Sequence, residues 1–148
     1  MKYGGGLFLL LILFSCGRQI SKESMETEQE CLAPGDTTKI VQLATEYLEH
    51  LKNKEFDEAL NMLHVIRHDS VFGLDDVDIK KMKAQYETFP VLAYQINGCF
   101  IKGFHKTEVA YSIEFFKKEV EDKIPNTLNF RLNPQKINNI WYLSLVTR

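Results

Sequence analysis

The sequence predicts an α+β domain in which N-terminal helices pack on a curved, cone-like antiparallel sheet of about four strands. Two observations carry this prediction. Apolar residues repeat at helical spacing before Pro90, and they alternate at every second position after it. The length of 148 residues leaves room for one ordinary domain. Charged residues make up 26% of the chain and hydrophobic residues 45%, a balance that excludes disorder throughout.

Three helices are predicted before Pro90. The first begins at Asp36 or Thr37, because either side chain can cap a helix. A polar break at residues 52–54 separates it from a short second helix, and a third covers residues 78–87. Proline disfavours helical geometry in the residue before it, which ends the third helix. The inward faces comprise Ile40, Ala44, Tyr47, Leu48 and Leu51 in the first helix, Phe56, Ala59, Leu60 and Leu63 in the second, and Ile79, Met82 and Tyr86 in the third.

Four strands are predicted after Pro90. Residues 91–104 are long for one strand, and Gly98 and Gly103 indicate a bulge and a turn within them. Further turns are expected at residues 121–126 and 133–139, so the strands form an antiparallel meander. The alternating residues of the three later strands are Val109, Tyr111, Ile113 and Phe115, then Leu128, Phe130 and Leu132, and last Trp141, Leu143 and Leu145.

The N-terminus has the pattern of a secretory signal. Lys2 precedes an apolar run at residues 7–14, which is too short to span a bilayer. Residues 13–16, Leu-Phe-Ser-Cys, resemble the lipobox of bacterial lipoproteins. The resemblance implies cleavage before Cys16 and acylation of that cysteine, which would anchor the protein to a membrane. A plain signal peptide and a cytoplasmic protein with an apolar start are the alternatives.

Three segments follow from this interpretation: a signal peptide at residues 1–15, the lipidated cysteine and a flexible tether at residues 16–35, and the domain at residues 36–148. The residue after the cysteine is Gly17 and not the Asp that would resemble an inner-membrane retention signal of lipoproteins, so the resemblance implies the outer membrane, on its periplasmic or surface face. The acidic stretch of the tether also resembles the surface-export signals of some Bacteroidetes-type lipoproteins. The formal net charge of −2 argues against a nucleic-acid partner.

A second resemblance rests on the helical pair and the last strand. Residues 44–63 follow the pattern A-x-x-Y-L-x-x-L-x-x-x-x-F-x-x-A-L-x-x-L, and the last strand carries Trp-Tyr-Leu at residues 141–143. Together they resemble the cone-shaped domain of the nuclear transport factor two-like superfamily, in its bacterial lipoprotein branch, over residues 36–148. A cystatin-like arrangement of helix on sheet is the alternative. The resemblance implies a concave pocket, and the rings expected to line it are Tyr47, Tyr94, Tyr111, Trp141 and Tyr142.

Two functions compete for such a pocket. One is a non-catalytic module that binds a small apolar ligand or a partner protein, with a homodimer through the open sheet face as a further option. The other is an isomerase- or dehydratase-like enzyme with Tyr47 as hydrogen-bond donor, although a core position on the apolar stripe of its helix is the favoured interpretation of Tyr47. Resemblance to the isomerase branch would require inward carboxylic acids, but Glu108, Glu114 and Glu119 fall on polar positions or near strand ends. The binding module is therefore favoured, and no cofactor is expected.

The remaining chemical candidates are histidines, aspartates and cysteines. His64 and His68 lie four residues apart and would share a helical face, but no third ligand or calcium-loop spacing follows them. A helix exit followed by a polar loop is the favoured interpretation, without a metal. Cys31 and Cys99 would be left to form a disulfide if Cys16 is lipidated, although Cys99 fits equally well as a small buried residue.

Overall fold

The computed structural model describes residues 33–119, 121 and 123–144. The signal peptide, Cys16, most of the tether, Cys31 and Leu145 lie outside the described residues. Three helices and seven strands follow in the order α1 (Asp36–Lys52), α2 (Phe56–Asn61), β1 (Leu63–Arg67), β2 (Ser70–Gly73), α3 (Asp76–Thr88), β3 (Ala93–Ile101), β4 (Thr107–Glu114), β5 (Thr127–Leu132), β6 (Gln135–Ile137) and β7 (Ile140–Ser144).

The α+β architecture is confirmed, with helices packed on a curved sheet. All three predicted helices are present, and α3 ends at Thr88, before Pro90. The cap prediction for α1 was wrong, because Gly35 is the residue that precedes the helix and no side chain caps it. The left-handed φ of 95° at Gly35 explains why glycine occupies this position. No helix in the described part of the chain is long and apolar enough to cross a membrane.

The sheet differs from the predicted four-stranded meander. The seven strands form two sheets with the orders β2-β1-β7-β6 and β3-β4-β5. Strands β1 and β7 are parallel, with Leu63 opposite Leu143, and the other pairs are antiparallel. Residues 63–67 were expected to be helical or loop, but they form strand β1, which pairs with β2 on one side and with β7 on the other. A parallel pair far apart in sequence leaves no local signal, which is why it was not predicted.

Strand β3 behaves as its glycines predicted. The register between β3 and β4 shifts between Ile96 and Gly98, so the bulge lies at the expected position. Gly103 has a φ of 138° in the turn to β4, which the glycine permits. On β3 and β4 alternate residues face the helices, and Tyr94, Ile96, Tyr111 and Ile113 share that inner face.

The core lies between α1 and the inner faces of the sheets. Helix α1 contributes a stripe at helical spacing, and β1, β4 and β7 contribute alternate residues. Trp141 is buried, as the phase of its strand predicted. The main members of this cluster are Ile40, Ala44, Tyr47, Leu48, Leu51, Leu63, Val109, Tyr111, Ile113, Leu132, Trp141 and Leu143.

Candidate functional site

The hairpin of β1 and β2 forms an inner surface that the helices leave uncovered. Leu63 is buried in the core, so Val65 and Arg67, two and four residues further along the strand, share its face. Phe72 lies directly opposite Val65 in the antiparallel register. It belongs to the inner face by that pairing, yet 52% of it is exposed. An aromatic ring is therefore open to solvent on the side of the sheet where the core lies.

A two-residue turn sets the geometry of this hairpin. His68 and Asp69 have positive φ values of 49° and 60°, and Arg67 pairs with Ser70 across the turn. Two successive left-handed residues give the turn twist that matches the twist of the strands. The predicted shared helical face of the two histidines was wrong. His64 packs on the outer face at 5.1 Å from the Tyr142 ring, whereas His68 lies in the turn.

The inner face of the hairpin and the start of α3 enclose a groove of about 500 Å³. This volume is within the range of small-ligand sites. Asp75 caps α3 by accepting a 2.7 Å hydrogen bond from the Asp78 backbone N–H. The groove thus has an apolar floor, a cationic end at the hairpin turn and an acidic end at the helix start. Its lining residues are Val65, Arg67, His68, Ser70, Phe72, Gly73, Asp75 and Asp78.

Three tyrosines fill the space between the helices and the second sheet. The hydroxyl of Tyr47 on α1 lies 2.7 Å from that of Tyr86 on α3. Tyr111 on β4 stacks on Phe130 with ring centroids 5.6 Å apart. Burial raises the pKa of Tyr47 well above its ordinary value of 10, and burial likewise raises the pKa of Tyr86 and of Tyr111. These hydroxyls stay protonated at neutral pH, so they can donate hydrogen bonds but cannot act as bases.

One carboxylate bonds to a tyrosine in this region. The Tyr94 hydroxyl donates a 2.5 Å hydrogen bond to Glu49 Oε1, which links β3 to the last turns of α1. Burial, followed by the bond and charge of Glu49, raises the pKa of Tyr94 to about 12. The pair is only part-buried, and the Lys52 ammonium lies 6.0 Å from the Tyr94 ring centroid. Its clear effect is to fasten the helix to the sheet.

A buried ionic cluster closes the opposite end of α1. Asp36 is 2% exposed, and its carboxylate accepts hydrogen bonds from Trp141 Nε1 and Lys136 Nζ, each at 2.9 Å. The bond from Trp141, helped by Lys136 and by the Ala33 backbone N–H, lowers the pKa of Asp36 from 3.8 to about 2, although burial opposes this. The Lys136 ammonium also lies 5.0 Å from the Phe104 ring centroid. Asp36 therefore remains ionised and ties the start of the domain to its C-terminal hairpin.

The five rings predicted to line a pocket are distributed over three places. Tyr47 and Tyr111 lie in the tyrosine cluster, and Tyr94 lies beside it at Glu49. Trp141 belongs to the Asp36 cluster at the other end of α1, and Tyr142 packs on His64 at the outer face of the sheet. The structure therefore brings three of the five together. None of the five lines the hairpin groove, although Tyr94 lines a separate, smaller pocket of about 160 Å³ beside β3 and β4, so their part in ligand binding stays a prediction.

Sequence reasoning considered His68, Asp75 and Asp78 only as possible metal ligands, and it missed Val65, Arg67 and Phe72 because they lie on strands that it did not identify. Phe72 and Val65 are ordinary apolar residues until the hairpin places them opposite each other. A local signal existed in the His-Asp pair at residues 68 and 69, because β-branched residues lie two positions before it, at Ile66, and two positions after it, at Val71. Asp and His tolerate the left-handed conformation better than most residues, and two such residues between alternating segments are typical of a tight hairpin.

Two further predictions concern ligating side chains. No group of three or more His, Cys, Asp or Glu is arranged for a metal within the described ranges. Cys99 is half-buried on β3, and burial raises the pKa of its thiol. The predicted partner, Cys31, lies outside the described residues.

The predicted polar positions of the strand acids agree with their contacts: Glu108 pairs with Arg131 at 3.0 Å, and Glu114 accepts a hydrogen bond from Asn126.

Comparison with known proteins gives one structural relative and no family assignment. No protein-family model matches the chain, and neither does any curated protein. Among solved structures, the chain is similar to the crystal structure of an NTF-2 like protein of unknown function from Shewanella oneidensis MR-1. The match covers 74% of this chain and 94% of that chain, with 19% sequence identity and a TM-score of 0.49.

Proposed function

We propose that the chain is a membrane-anchored envelope lipoprotein whose domain is a non-catalytic binding module of the nuclear transport factor two-like superfamily. The Leu-Phe-Ser-Cys segment at residues 13–16 supports the anchor, with Cys16 as the lipidated residue, and Gly17 favours the outer membrane. The helical-pair motif at residues 44–63 supports the superfamily. In this proposal the groove of the β1–β2 hairpin is the binding site for a ligand or partner.

The exposure of Phe72 carries the binding function. Phe72 faces the same side of its sheet as the core residue Leu63, but 52% of it is exposed. Covering exposed apolar surface contributes roughly 25 cal/mol for each Å² removed from water. An exposed aromatic ring that lines a groove of about 500 Å³ supports a binding site, because ligand pockets are concave and lined largely by apolar and aromatic side chains.

The ionisable groups support a module without catalysis. The buried tyrosine hydroxyls are held protonated, with Tyr47 and Tyr86 bonded to each other. The buried carboxylate of Asp36 is ion-paired with Lys136 and accepts a hydrogen bond from Trp141 at the start of α1. His68, Asp75 and Asp78 all line the groove, but in the described part of the chain no hydrogen bond or ion pair joins the histidine to either acid, and such a pair is the arrangement that general acid–base catalysis would need.

A small isomerase- or dehydratase-like enzyme is the second candidate. The observation that favours it is the short hydrogen bond from Tyr94 to Glu49, because a tyrosine beside a carboxylate can polarise a carbonyl and shuttle a proton. Under this alternative, the wild type would deplete a metabolite from an extract of the host, and Glu49→Gln would not. Mass spectrometry of extracts treated with each protein distinguishes the two functions.

Site-specific photo-cross-linking in the host tests the binding module. Benzoylphenylalanine would replace Phe72 in one strain and Phe100 in another. Phe100 is the matched control, because it is also a phenylalanine with 52% exposure but points to the outer face, where it packs against Gly98. We expect an adduct at position 72 and none at position 100. Equal adducts at both positions, or none at 72, would overturn the proposed site.

The anchor is tested separately. Metabolic labelling with a fatty-acid analogue should mark the wild type but not Cys16→Ala. Cys99→Ala is the matched control, since it removes a cysteine from the folded domain and should leave the label unchanged. Equal labelling of the wild type and Cys16→Ala would refute the lipid anchor without bearing on the groove.

A further inference from the structure

We infer that the hairpin groove binds an extended segment of a partner protein, three or four residues long, with a basic side chain at one end, apolar side chains in the middle and an acidic one at the other. This inference rests on the proposed binding function and names its partner.

The floor of the groove is apolar. Val65 and Phe72 face each other across adjacent strands, and Phe72 is the exposed member of the pair. Side chains opposite each other in an antiparallel pair lie about 5 Å apart, so the two form one continuous surface. An apolar side chain in the middle of a bound segment would cover this surface.

The hairpin turn supplies a positive charge without an internal partner. Arg67 is exposed and has no ion-pair partner among the residues that the structure describes. The neighbouring acid, Asp69, does not line the groove, and its carboxylate lies 3.9 Å from His105 Nε2. Arginine presents a planar fork of donors that fits a carboxylate. The acidic end of the partner segment therefore belongs at Arg67.

The start of α3 supplies the opposite charge. Asp75 and Asp78 both line the groove. The Asp75 carboxylate already accepts a hydrogen bond from the backbone N–H of Asp78. The Asp78 side chain is exposed and is not engaged in an ion pair within the described ranges. It can pair with a lysine or arginine of a partner. The groove thus complements a ligand with two unlike charges separated by an apolar section.

The spacing of the two ends fits an extended peptide. Arg67 pairs with Ser70 at the turn, and His64 pairs with Gly73 at the base of the hairpin. Three residues of strand separate these levels, which corresponds to about 10 Å. A peptide of three to four residues in extended form covers that length and presents alternate side chains to the floor.

Binding of charge-patterned peptides tests the inference. The full-length lipidated chain would be placed in phosphatidylcholine nanodiscs, and fluorescence anisotropy would follow labelled, end-blocked tetrapeptides. The mixed peptide is Lys-Val-Leu-Glu, and the like-charged ones are Glu-Val-Leu-Glu and Lys-Val-Leu-Lys. Exposed ion pairs are each worth a few-fold in affinity, so we expect the mixed peptide to bind about three- to tenfold more tightly than either like-charged one.

Charge reversal at the turn provides the decisive comparison. Arg67→Glu should make Lys-Val-Leu-Lys the tightest ligand. Arg67→Gln should remove the preference for the mixed peptide over Lys-Val-Leu-Lys, whereas Asp78 should keep Glu-Val-Leu-Glu the weakest ligand. Arg131→Glu is the control, because Arg131 is an exposed arginine on the outer face, paired there with Glu108, and its reversal should leave the preference intact.

The outcomes separate this inference from the proposed function. Unchanged selectivity in Arg67→Glu and Arg67→Gln would overturn the inference. Failure of all three peptides to bind would also overturn the inference. If benzoylphenylalanine at position 72 still cross-linked a small molecule in that case, the groove would remain a binding site with a different occupant. A preference for Lys-Val-Leu-Lys in Arg67→Glu together with a protein adduct at position 72 would support both proposals.

Discussion

The substitution Asp36→Asn is the sharpest perturbation of this fold, because it removes one charge from a buried ion pair. Lys136 Nζ lies 2.9 Å from the Asp36 carboxylate, and both side chains are nearly inaccessible, with 7% and 2% exposure. Asparagine keeps the size of the side chain but leaves the Lys136 ammonium buried without a counter-charge. Breaking one partner of a buried pair costs about 3–5 kcal/mol in free energy of unfolding. We expect a loss of this size at pH 7.

The pH dependence provides an independent measure of the same cluster. The pKa of Asp36 is lowered from 3.8 to about 2 in the folded state, so its contribution is fully present above pH 5 and is lost as the pH falls toward 2. Each pKa unit corresponds to 1.36 kcal/mol, which gives Asp36 a contribution of about 2–3 kcal/mol. The stability of the wild type should therefore fall between pH 5 and pH 2 by about this amount more than that of Asp36→Asn.

Urea unfolding followed by tryptophan fluorescence is the assay, because Trp141 is the one tryptophan of the chain and donates directly to Asp36. Asp57→Asn is the matched control: it removes the partner of Lys83 at the surface, where the loss should be small. The double substitution Asp36→Asn with Lys136→Met should recover much of the loss, since it removes the unpaired charge as well. Parallel pH profiles, or no recovery in the double variant, would refute the reasoning.

Three other substitutions test separate features of the fold, each by thermal or urea unfolding followed by circular dichroism. Trp141→Ala should cost about 3–5 kcal/mol, because it empties a buried site, and an unchanged midpoint would contradict that burial. Tyr47→Phe should cost about 1–2 kcal/mol by leaving the Tyr86 hydroxyl without its partner, and no loss would show that water replaces it. Asp69→Gly should stabilise the hairpin by about 0.5 kcal/mol, since φ is 60° there, whereas destabilisation would argue against the turn.

The helices were predictable because their stripes reflect one local period. Ile40, Ala44, Tyr47, Leu48 and Leu51 follow helical spacing, and all five are buried. Strands β3, β4, β5 and β7 were predictable for the same reason, with a period of two. The burial of Trp141 followed from its phase alone. What could not be predicted is its hydrogen bond to Asp36, which joins residues 105 positions apart and has no local signature.

The β1–β2 hairpin escaped prediction because two periods overlap at its start. Ala59, Leu60 and Leu63 continue helical spacing past the end of α2, which stops at Asn61. Pairing of Leu63 with Leu143 on β7 then decides the conformation in favour of a strand. Tertiary pairing of this kind overrides local preference in short segments. The candidate groove depends on that hairpin, so the site was hidden by the same misassignment.

The position of the groove relative to the start of the domain bears on which partner can reach it. The chain enters at Asp36, which is bonded to Trp141 near the beginning of β7. Strand β1 runs parallel to β7 with Leu63 opposite Leu143, so Arg67 lies six residue levels beyond Trp141, or about 20 Å further along the sheet. Under the proposed lipid anchor, the cationic end of the groove therefore points away from the end that the tether holds. An attachment on the far side of the domain leaves the cationic end of the groove accessible to a partner segment in the aqueous phase.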